Sequence, residues 1–282
     1  IACAMMRWNE GNEDWWRMNF FVEGLQGSGK STMVRKLSEL NPGYTAVREG
    51  EYSPVELSWC AYVNGDQYKE ILNRYPGLRS EIEKKTYSEG NRKIICYTKI
   101  ATDNRVFYQD LEQYEIYNNR VPFDDFRAIV LERYRKWVSD QMIFECSLFQ
   151  NTVEDMILFR QMSDEEIIAF YRLVREALNG KEYRIIYLKT DDIRANLNII
   201  RKERSDASGN ELWYPMMLGF FNDCPYSKAR GLEGDDDLID HFRYRQDLEL
   251  RVCEEIFPDK RIILRSKDYT DESIKQLLSV SI

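Results

Sequence analysis

The stretch FFVEGLQGSGKSTM, from Phe20 to Met33, decides the fold. Within it, Gly24 and Gly29 frame the spacing GxxxxGK[ST], which Lys30 and Ser31 complete. Glycines let successive backbone N–H groups curl around an anion without obstruction by side chains. The following helix adds its positive end, the lysine reaches the outer phosphates, and the hydroxyl binds Mg²⁺. The stretch therefore predicts a loop that holds the phosphates of a nucleoside triphosphate.

The neighbours of this loop have the pattern that a phosphate loop requires. An apolar run at 18–23 precedes it, and 31–40 has helical spacing, with Met33, Val34 and Leu37 on one side. Strand, loop and helix in that order are the structural context of the motif. The residues that we expect to contact the nucleotide are Gly24, Gln26, Gly27, Ser28, Gly29, Lys30, Ser31 and Thr32.

Short apolar strands alternate with helices along the rest of the chain. This alternation predicts an α/β fold of the P-loop NTPase type in three layers, with helices on both faces of a parallel sheet. Strands are predicted at 18–23, 44–47, 142–144, 184–188 and 261–264. Helices are predicted at 31–40, 151–161, 163–178, 192–202, 238–257 and 271–278. Residues 205–234 are rich in Gly, Asp and Asn and predict loops.

The long segment 54–140 predicts a helical insertion over one edge of that sheet. Helices are expected at 55–62, 66–74, 78–85, 107–117 and 123–138, whereas 93–100 fits either a strand or a buried helix. The domain then runs from 19 to 282, with a lid region at about 201–234. Residues 1–18 form an N-terminal extension outside this domain.

Composition excludes several classes of protein. The 282 residues are 43% hydrophobic and 31% charged, which suits one large folded domain. A net charge of −8 argues against a protein that tracks a nucleic-acid polymer. Six scattered cysteines and one histidine argue against a zinc site and favour reduced thiols in a cytoplasmic protein. No run is long and apolar enough to span a membrane, so we expect no membrane partner.

Charged side chains follow the predicted strands at the points where those strands end. Arg48 and Glu49 follow the second strand, Glu145 follows the third, and the helix after the fourth ends with Arg201 and Arg204. In doubly wound sheets, ligands lie beyond the carboxyl ends of the strands, so these side chains should converge on the loop. A phosphotransferase needs such a set: a carboxylate near the acceptor, another near the metal, and a basic lid.

These segments resemble the thymidylate kinase and deoxynucleoside kinase group over about half of the chain. Phe21-Val22-Glu23-Gly24 is similar to the opening of their phosphate loop, and Arg48-Glu49-Gly50 resembles their Arg-Glu-Pro or Glu-Pro. Phe144-Glu145-Cys146-Ser147 resembles their Glu-Arg-Ser motif. Tyr187-Leu188, with the helix to Arg204, is similar to their fourth strand and lid. Ser266-Lys267-Asp268-Tyr269 is similar to the segment before their last helix.

The resemblance implies a reaction and a set of roles. ATP with Mg²⁺ would phosphorylate a nucleoside or a nucleoside monophosphate, with Glu49 as general base for the acceptor hydroxyl. Ser31 and Glu145 would hold Mg²⁺, while Lys30, Arg201 and Arg204 would stabilise the transferring phosphoryl group. Arg48 would contact the substrate. The chain departs from the group at Gly50, where proline is usual, at Cys146, where arginine is usual, and throughout 54–140.

Other readings of the same residues stay open. Trp59 and Tyr62 could stack on an aromatic acceptor or belong to the core. The acceptor could be another small alcohol, such as an antibiotic or a metabolite. The chain could also be a nucleotide-dependent switch without a small acceptor, and a homodimer is one open arrangement. Dependence of turnover on an acceptor separates a kinase from a switch.

Overall fold

A five-stranded parallel sheet forms the centre of the protein. The structure, a computed structural model, describes residues 18–280, with side chains described as far as 276. The strands are β1 Asn19–Gly24, β2 Thr45–Val47, β3 Ala61–Asn64, β4 Thr86–Glu89, β5 Arg92–Ile95, β6 Met142–Glu145, β7 Tyr183–Lys189 and β8 Arg261–Arg265. The main sheet has the order β2-β6-β1-β7-β8, so the strand that carries the phosphate loop is central. The predicted α/β fold with a parallel sheet is confirmed.

Twelve helices surround the strands within residues 18–280. They are α1 Lys30–Leu40, α2 Gly65–Arg74, α3 Arg79–Lys84, α4 Arg105–Glu112, α5 Phe123–Lys136, α6 Gln150–Glu154, α7 Asp164–Ala177, α8 Ile193–Glu203, α9 Trp213–Asp223, α10 Pro225–Arg230, α11 Asp235–Glu255 and α12 Asp271–Val280. A π-helical turn, Asp155–Phe159, continues α6. The described helices include none that is long and apolar enough to cross a membrane.

The apolar character of β1 follows from burial on both faces. All six of its residues are buried. On one face, Phe21 stacks on Phe144 with ring centroids 5.1 Å apart. On the other face, Phe20 and Val22 pack in a core with the inner side of α1. A central parallel strand covered by helices therefore reads as a continuous apolar run.

The segment 54–140 contains more than the predicted helices. It carries α2 to α5 and, beside them, a three-stranded antiparallel sheet of order β3-β5-β4. Ile95 of β5 lies opposite Ala61 of β3 and Thr86 of β4. The ambiguity at 93–100 is resolved as a strand followed by a 3₁₀ turn at Tyr97–Lys99. The strand at 86–89 was absent from the sequence prediction.

The helix predicted at 55–62 is wrong, because local hydrogen bonds hold the backbone differently. The Ser53 hydroxyl accepts the N–H groups of Val55 and Glu56. Trp59 has φ at 60°, a left-handed conformation that ends regular structure. Short polar side chains that bond to nearby backbone compete with helix in this way.

The prediction of loops at 205–234 is wrong for most of that segment. It contains α9 and α10. Gly, Asp and Asn indicated loops, but the core of α9 is apolar, and its Pro215 lies in the first turn, where a backbone N–H has no helical partner anyway. The helix predicted at 163–178 is confirmed as α7, and a capping box of Ser163 and Glu166 starts it. The extension predicted at 1–18 lies outside the described residues except for Met18.

Candidate functional site

The phosphate loop leaves the carboxyl end of β1 and enters α1. Gly24, Gly27 and Gly29 all have positive φ, at 136°, 74° and 94°. A Cβ on Gly27 would lie 2.1 Å from the Ile200 side chain, so any larger residue would require this side chain of α8 to shift. A glycine loop between a central parallel strand and a helix is the arrangement that the sequence predicted. The chain has a P-loop α/β fold.

Lys30 is almost fully buried in the first turn of α1. Its ammonium donates to the main-chain carbonyls of Gly24, at 2.8 Å, and Leu25, at 2.7 Å. The positive charge therefore lies against the start of the loop. Thr32 is exposed in the same helical turn, and the Ser28 hydroxyl is buried without a hydrogen-bond partner among the described residues.

Ser31 meets Glu145 at the edge of the sheet, beyond the carboxyl ends of β1 and β6. The Ser31 hydroxyl donates to the Glu145 carboxylate. The other oxygen of Glu145 lies 3.6 Å from the Arg48 guanidinium. This contact joins three segments that are far apart in sequence, as the rule for strand ends predicted.

The pair of Ser31 and Glu145 fits Mg²⁺ chemically. A hydroxyl and a carboxylate are hard oxygen ligands, and Mg²⁺ usually takes one or two carboxylates, with phosphates and water supplying the rest. No cluster of three or more His, Cys, Asp or Glu side chains suited to a metal occurs among the described residues. When bound, the ion would offset the charge of the phosphates.

Glu49 lies beside this pair, with its carboxylate held by two donors. Its Oε1 accepts the Trp59 indole N–H at 3.0 Å and the Gln150 amide at 2.9 Å. Gln150 also lies 3.5 Å from the Cys146 sulfur through its other amide atom. Trp59 is 44% exposed, so its indole faces solvent next to the carboxylate. Glu49 and Trp59 thus come together, as the predicted substrate contacts require.

Tyr62 lies on β3, within the small sheet. The Arg92 guanidinium covers its ring at 5.0 Å from the centroid. Its described contacts lie in the small sheet and the adjacent core, and none of them reaches Glu49. Of the two aromatic candidates, Trp59 is the one that the structure places beside the carboxylate.

The basic end of α8 contacts the lid region. Arg201 bonds Glu211 at 2.9 and 2.8 Å, and its guanidinium covers the Tyr214 ring at 4.1 Å. Arg204 covers the Trp213 ring at 4.7 Å. Arg201 also lies 3.5 Å from Asp235 of α11. The described side-chain contacts of the two arginines are therefore with the segment before α9, with α9 itself and with the start of α11. The same helix reaches the loop through Ile200.

Several side chains that hold the loop were missed by the sequence argument. Asn196 donates to the Gln26 carbonyl at 2.7 Å. Ser266 and Tyr269 donate to the carbonyls of Ser28, at 2.8 Å, and Gly29, at 3.3 Å. The sequence marked 266–269 only by family resemblance. Asn196 and Gln150 carry no recognisable signal, because single amides on helices are common.

Two buried groups set the electrostatics around the loop. Glu23 accepts the backbone N–H groups of Leu148, at 2.7 Å, and Phe149, at 3.2 Å, and burial raises its pKa to about 8. Burial also raises the pKa of the Cys146 thiol well above its usual range. Cys146 stands where the resembling group has arginine, so an uncharged thiol replaces a positive charge there.

Comparison with known proteins adds no family assignment. No protein-family model and no curated protein matches the chain. Among solved structures, a gluconokinase from Sinorhizobium meliloti 1021 aligns with 94% of this chain and 91% of its own. The identity is 11% and the TM-score is 0.33, values too low to carry an argument about function. The statement of fold rests on the sheet and loop themselves.

Proposed function

We propose that the protein is a phosphotransferase that moves the γ-phosphoryl group of ATP to a hydroxyl of a small acceptor, with Mg²⁺. The observation that carries this proposal is the hydrogen bond between Ser31 and Glu145. It brings a carboxylate to the start of the helix that follows the glycine loop. Phosphoryl transfer depends on this combination of positioning and charge stabilisation.

Each polar group has a defined task in this reaction. The loop N–H groups and Lys30 bind the phosphates, and Ser31 with Glu145 would hold Mg²⁺, which would offset the charge of the phosphates. The oxygen of the acceptor hydroxyl forms a bond to the γ-phosphorus, and the bond between that phosphorus and the ADP oxygen breaks. Glu49 takes the proton that the hydroxyl loses. Arg201 would have to leave Glu211 to reach the transferring group, so turnover would include a movement of the lid.

A nucleoside or nucleoside monophosphate is the acceptor class that the site supports best. It offers an aromatic base and a sugar hydroxyl within one molecule. Trp59 presents an exposed indole beside Glu49, and the buried Gln150 holds the Glu49 carboxylate through its amide. Stacking on the indole and proton transfer to the carboxylate can therefore act on the same ligand. The resemblance to nucleoside and nucleotide kinases supports this assignment.

The first test measures ADP release with ATP and Mg²⁺ across a panel of acceptors. The panel contains nucleosides, nucleoside monophosphates, aminoglycosides, other alcohols and a blank without acceptor. We expect a nucleoside or nucleoside monophosphate to exceed the blank. Another alcohol above the blank would keep the reaction and replace the acceptor class. A uniform panel with ATP still bound would overturn the kinase proposal in favour of a nucleotide-dependent switch.

Lys30→Ala tests the phosphate loop in the same assay. We expect turnover to fall by about a hundredfold or more, because removal of one preorganised charge contact has that effect in other active sites. Lys36→Ala is the matched control, since this lysine lies on the same helix and pairs with Asp271 at its outer side. Unchanged turnover in Lys30→Ala would remove the nucleotide site altogether.

A further inference from the structure

A row of hydrogen-bonded side chains, Gln26, Arg245, Glu154 and His241, runs from the phosphate loop into the interior. Arg245 of α11 is fully buried, and one of its terminal nitrogens donates to the Gln26 side-chain oxygen at 2.7 Å. Its other terminal nitrogen donates to the Glu154 carboxylate. The second oxygen of Glu154 lies 2.7 Å from Nε2 of His241. Loop, α6 and α11 are thus joined by consecutive hydrogen bonds.

A second acidic side chain, Glu249, lies against this row of hydrogen-bonded side chains. Arg245 Nε lies 3.3 Å from Glu249, which also accepts the Tyr187 hydroxyl at 2.6 Å. Burial alone would raise the pKa of Glu154, but the charge of Arg245 and the contacts with Arg245 and His241 hold it at about 2. An ion pair in the interior is costly to desolvate, and apolar side chains of similar size often replace it without loss of stability. Stability alone therefore gives no reason to place Arg245 beneath the loop.

Gln26 is held at its side-chain oxygen and at its main-chain carbonyl. Arg245 bonds its side chain, and Asn196 bonds its main-chain carbonyl at 2.7 Å. Gln26 lies between Gly24 and Gly27, where the backbone is free to adopt several conformations. These two bonds restrict the one residue of the loop's first half that has a long polar side chain.

The far end of the row lies against the lid region. The His241 ring packs near Phe221 of α9, with centroids 5.4 Å apart, and near Tyr226 of α10, at 6.2 Å. These two helices follow the segment that holds Arg201. A displacement of Gln26 and a displacement of α9 would therefore act on the same row of hydrogen bonds.

We propose that Arg245 is a positioning residue of the phosphate loop and that the row Gln26–Arg245–Glu154–His241 couples the loop to α9 and α10. The inference rests on the proposed nucleotide site. Arg245 fixes Gln26 before nucleotide binds, which lowers the entropic cost of ordering the loop. Binding of nucleotide to the loop therefore changes the environment of His241, and a change in the packing of α9 and α10 changes the affinity of the loop for nucleotide.

A double-mutant cycle on ATP affinity tests the positioning role. Gln26→Leu, Arg245→Met and the double variant are titrated with ATP and Mg²⁺ by calorimetry. We expect Kd to rise by about fivefold or more in each single variant, within the range of coupling between sites. The double variant should lie within about twofold of Arg245→Met, because both changes remove the same interaction. A double effect equal to the product of the single effects would overturn the proposal.

Gln246→Met is the matched control for disruption of α11. Gln246 is buried beside Arg245 and bonds the Thr190 backbone N–H and carbonyl at 2.8 and 3.0 Å. The Gln246→Met substitution should lower Tm without changing the Kd for ATP. An equal rise of Kd in Gln246→Met would mean that any damage to α11 weakens binding, which contradicts a specific role for Arg245.

The second test uses His241 as a spectroscopic reporter. It is the only histidine in the chain, so ¹⁵N-histidine labelling of untagged protein gives a single imidazole. We expect its nitrogen resonances to move on saturation with ATP and to move much less in Gln26→Leu at saturation. This test needs only a surface-side change in the loop and stays decisive even if Arg245→Met does not fold. Resonances that stay fixed while ATP binds would overturn the coupling.

The two proposals fail in different ways. If the wild-type chain binds no nucleotide, both are overturned. If ATP binds and Lys30→Ala abolishes binding, but Gln26→Leu has wild-type affinity, the nucleotide site stands and the positioning role is wrong.

Discussion

The Glu49 carboxylate has two hydrogen-bond donors, and both of them bond the same oxygen, Oε1. The donors are an indole N–H and a side-chain amide, neither of them charged. Neutral donors orient a carboxylate without the strong attraction of a guanidinium for a proton-accepting oxygen. At the scale of one residue, this environment suits proton transfer from a bound alcohol better than a structural ion pair.

Glu49→Gln should separate the acceptor step from nucleotide binding. The amide keeps the size of the side chain but cannot take a proton, so single-turnover transfer should fall by about a hundredfold or more. The Kd for ATP should stay within about twofold. Glu51→Gln is the control, because this exposed neighbour bonds only the Arg48 backbone N–H in the same turn. If Glu49→Gln lost as much affinity for ATP as it lost rate of transfer, Glu49 would be assigned to binding of the metal and nucleotide rather than to the acceptor.

The placement of single residues could be predicted from sequence where backbone chemistry is restrictive, while their roles in binding and catalysis stay predictions. The spacing from Gly24 to Ser31 admits few structures, and Glu145 follows a strand whose partners place it beside Ser31. Gln150, Asn196 and Arg245 were missed, because their roles depend on partners between 101 and 219 residues away. No local pattern marks such a partner.

Helix α8 has two different ends. Its middle contacts the loop through Asn196 and Ile200, while its last turn is held by α9 through Arg201 and Arg204. Helix α8 is fixed where it contacts the loop, whereas its last turn is held by charged side chains. The last turn can therefore move while the middle of the helix stays in place. Exposed pairs such as the one between Arg201 and Glu211 contribute at most about 1 kcal/mol, so they can be exchanged for phosphate contacts.

Replacement of both Arg201 and Arg204 by alanine tests the lid. We expect the rate of phosphoryl transfer to fall by about a hundredfold or more, because charge on the transferring group goes unstabilised. Affinity for ADP should change far less. Arg194→Ala, on the first turn of the same helix and paired with Asp236, serves as the control. A wild-type rate of transfer in the double variant would show that this helix has no lid function.

At the scale of elements, prediction worked for strands buried on both faces and for long amphipathic helices. It failed at 55–62, where side-chain hydrogen bonds hold the backbone. It also failed at 205–234, where Gly, Asp and Asn indicated loops but α9 and α10 form. The small sheet in 54–140 was also missed. Its strands have four residues each, and β4 has no buried residue, so the alternation of apolar and polar side chains is too short to recognise.

The whole molecule carries buried carboxyls that oppose its stability at neutral pH. Glu56 accepts the Ser58 backbone N–H at 2.6 Å, and burial raises its pKa to about 8. Glu23 has a pKa of about 8 for the same reason. A carboxyl with a raised pKa in the folded state binds a proton that the unfolded chain releases. Each group therefore lowers the free energy of unfolding progressively as pH rises from about 4.5 to about 8.

Glu56→Gln should flatten this pH dependence. The amide oxygen can still accept from Ser58, but the group no longer ionises. Between pH 6 and pH 8, the free energy of unfolding of the wild type should fall relative to the variant by on the order of 2 kcal/mol. Urea unfolding at both pH values measures it, with Glu176→Gln as an exposed control. Parallel pH profiles for wild type and Glu56→Gln would mean that Glu56 is not the buried acid described here.

The hydrogen bonds that hold the phosphate loop also set an order of events during synthesis. The loop is synthesised first, and the hydroxyl of Ser266 that bonds the Ser28 carbonyl comes 238 residues later. Arg245 comes 219 residues after Gln26. A ribosome therefore releases the loop long before it releases the residues that hold it. Pairings this distant in sequence form slowly, so the nascent chain acquires its anion-binding conformation only after Arg245 and Ser266 have been synthesised.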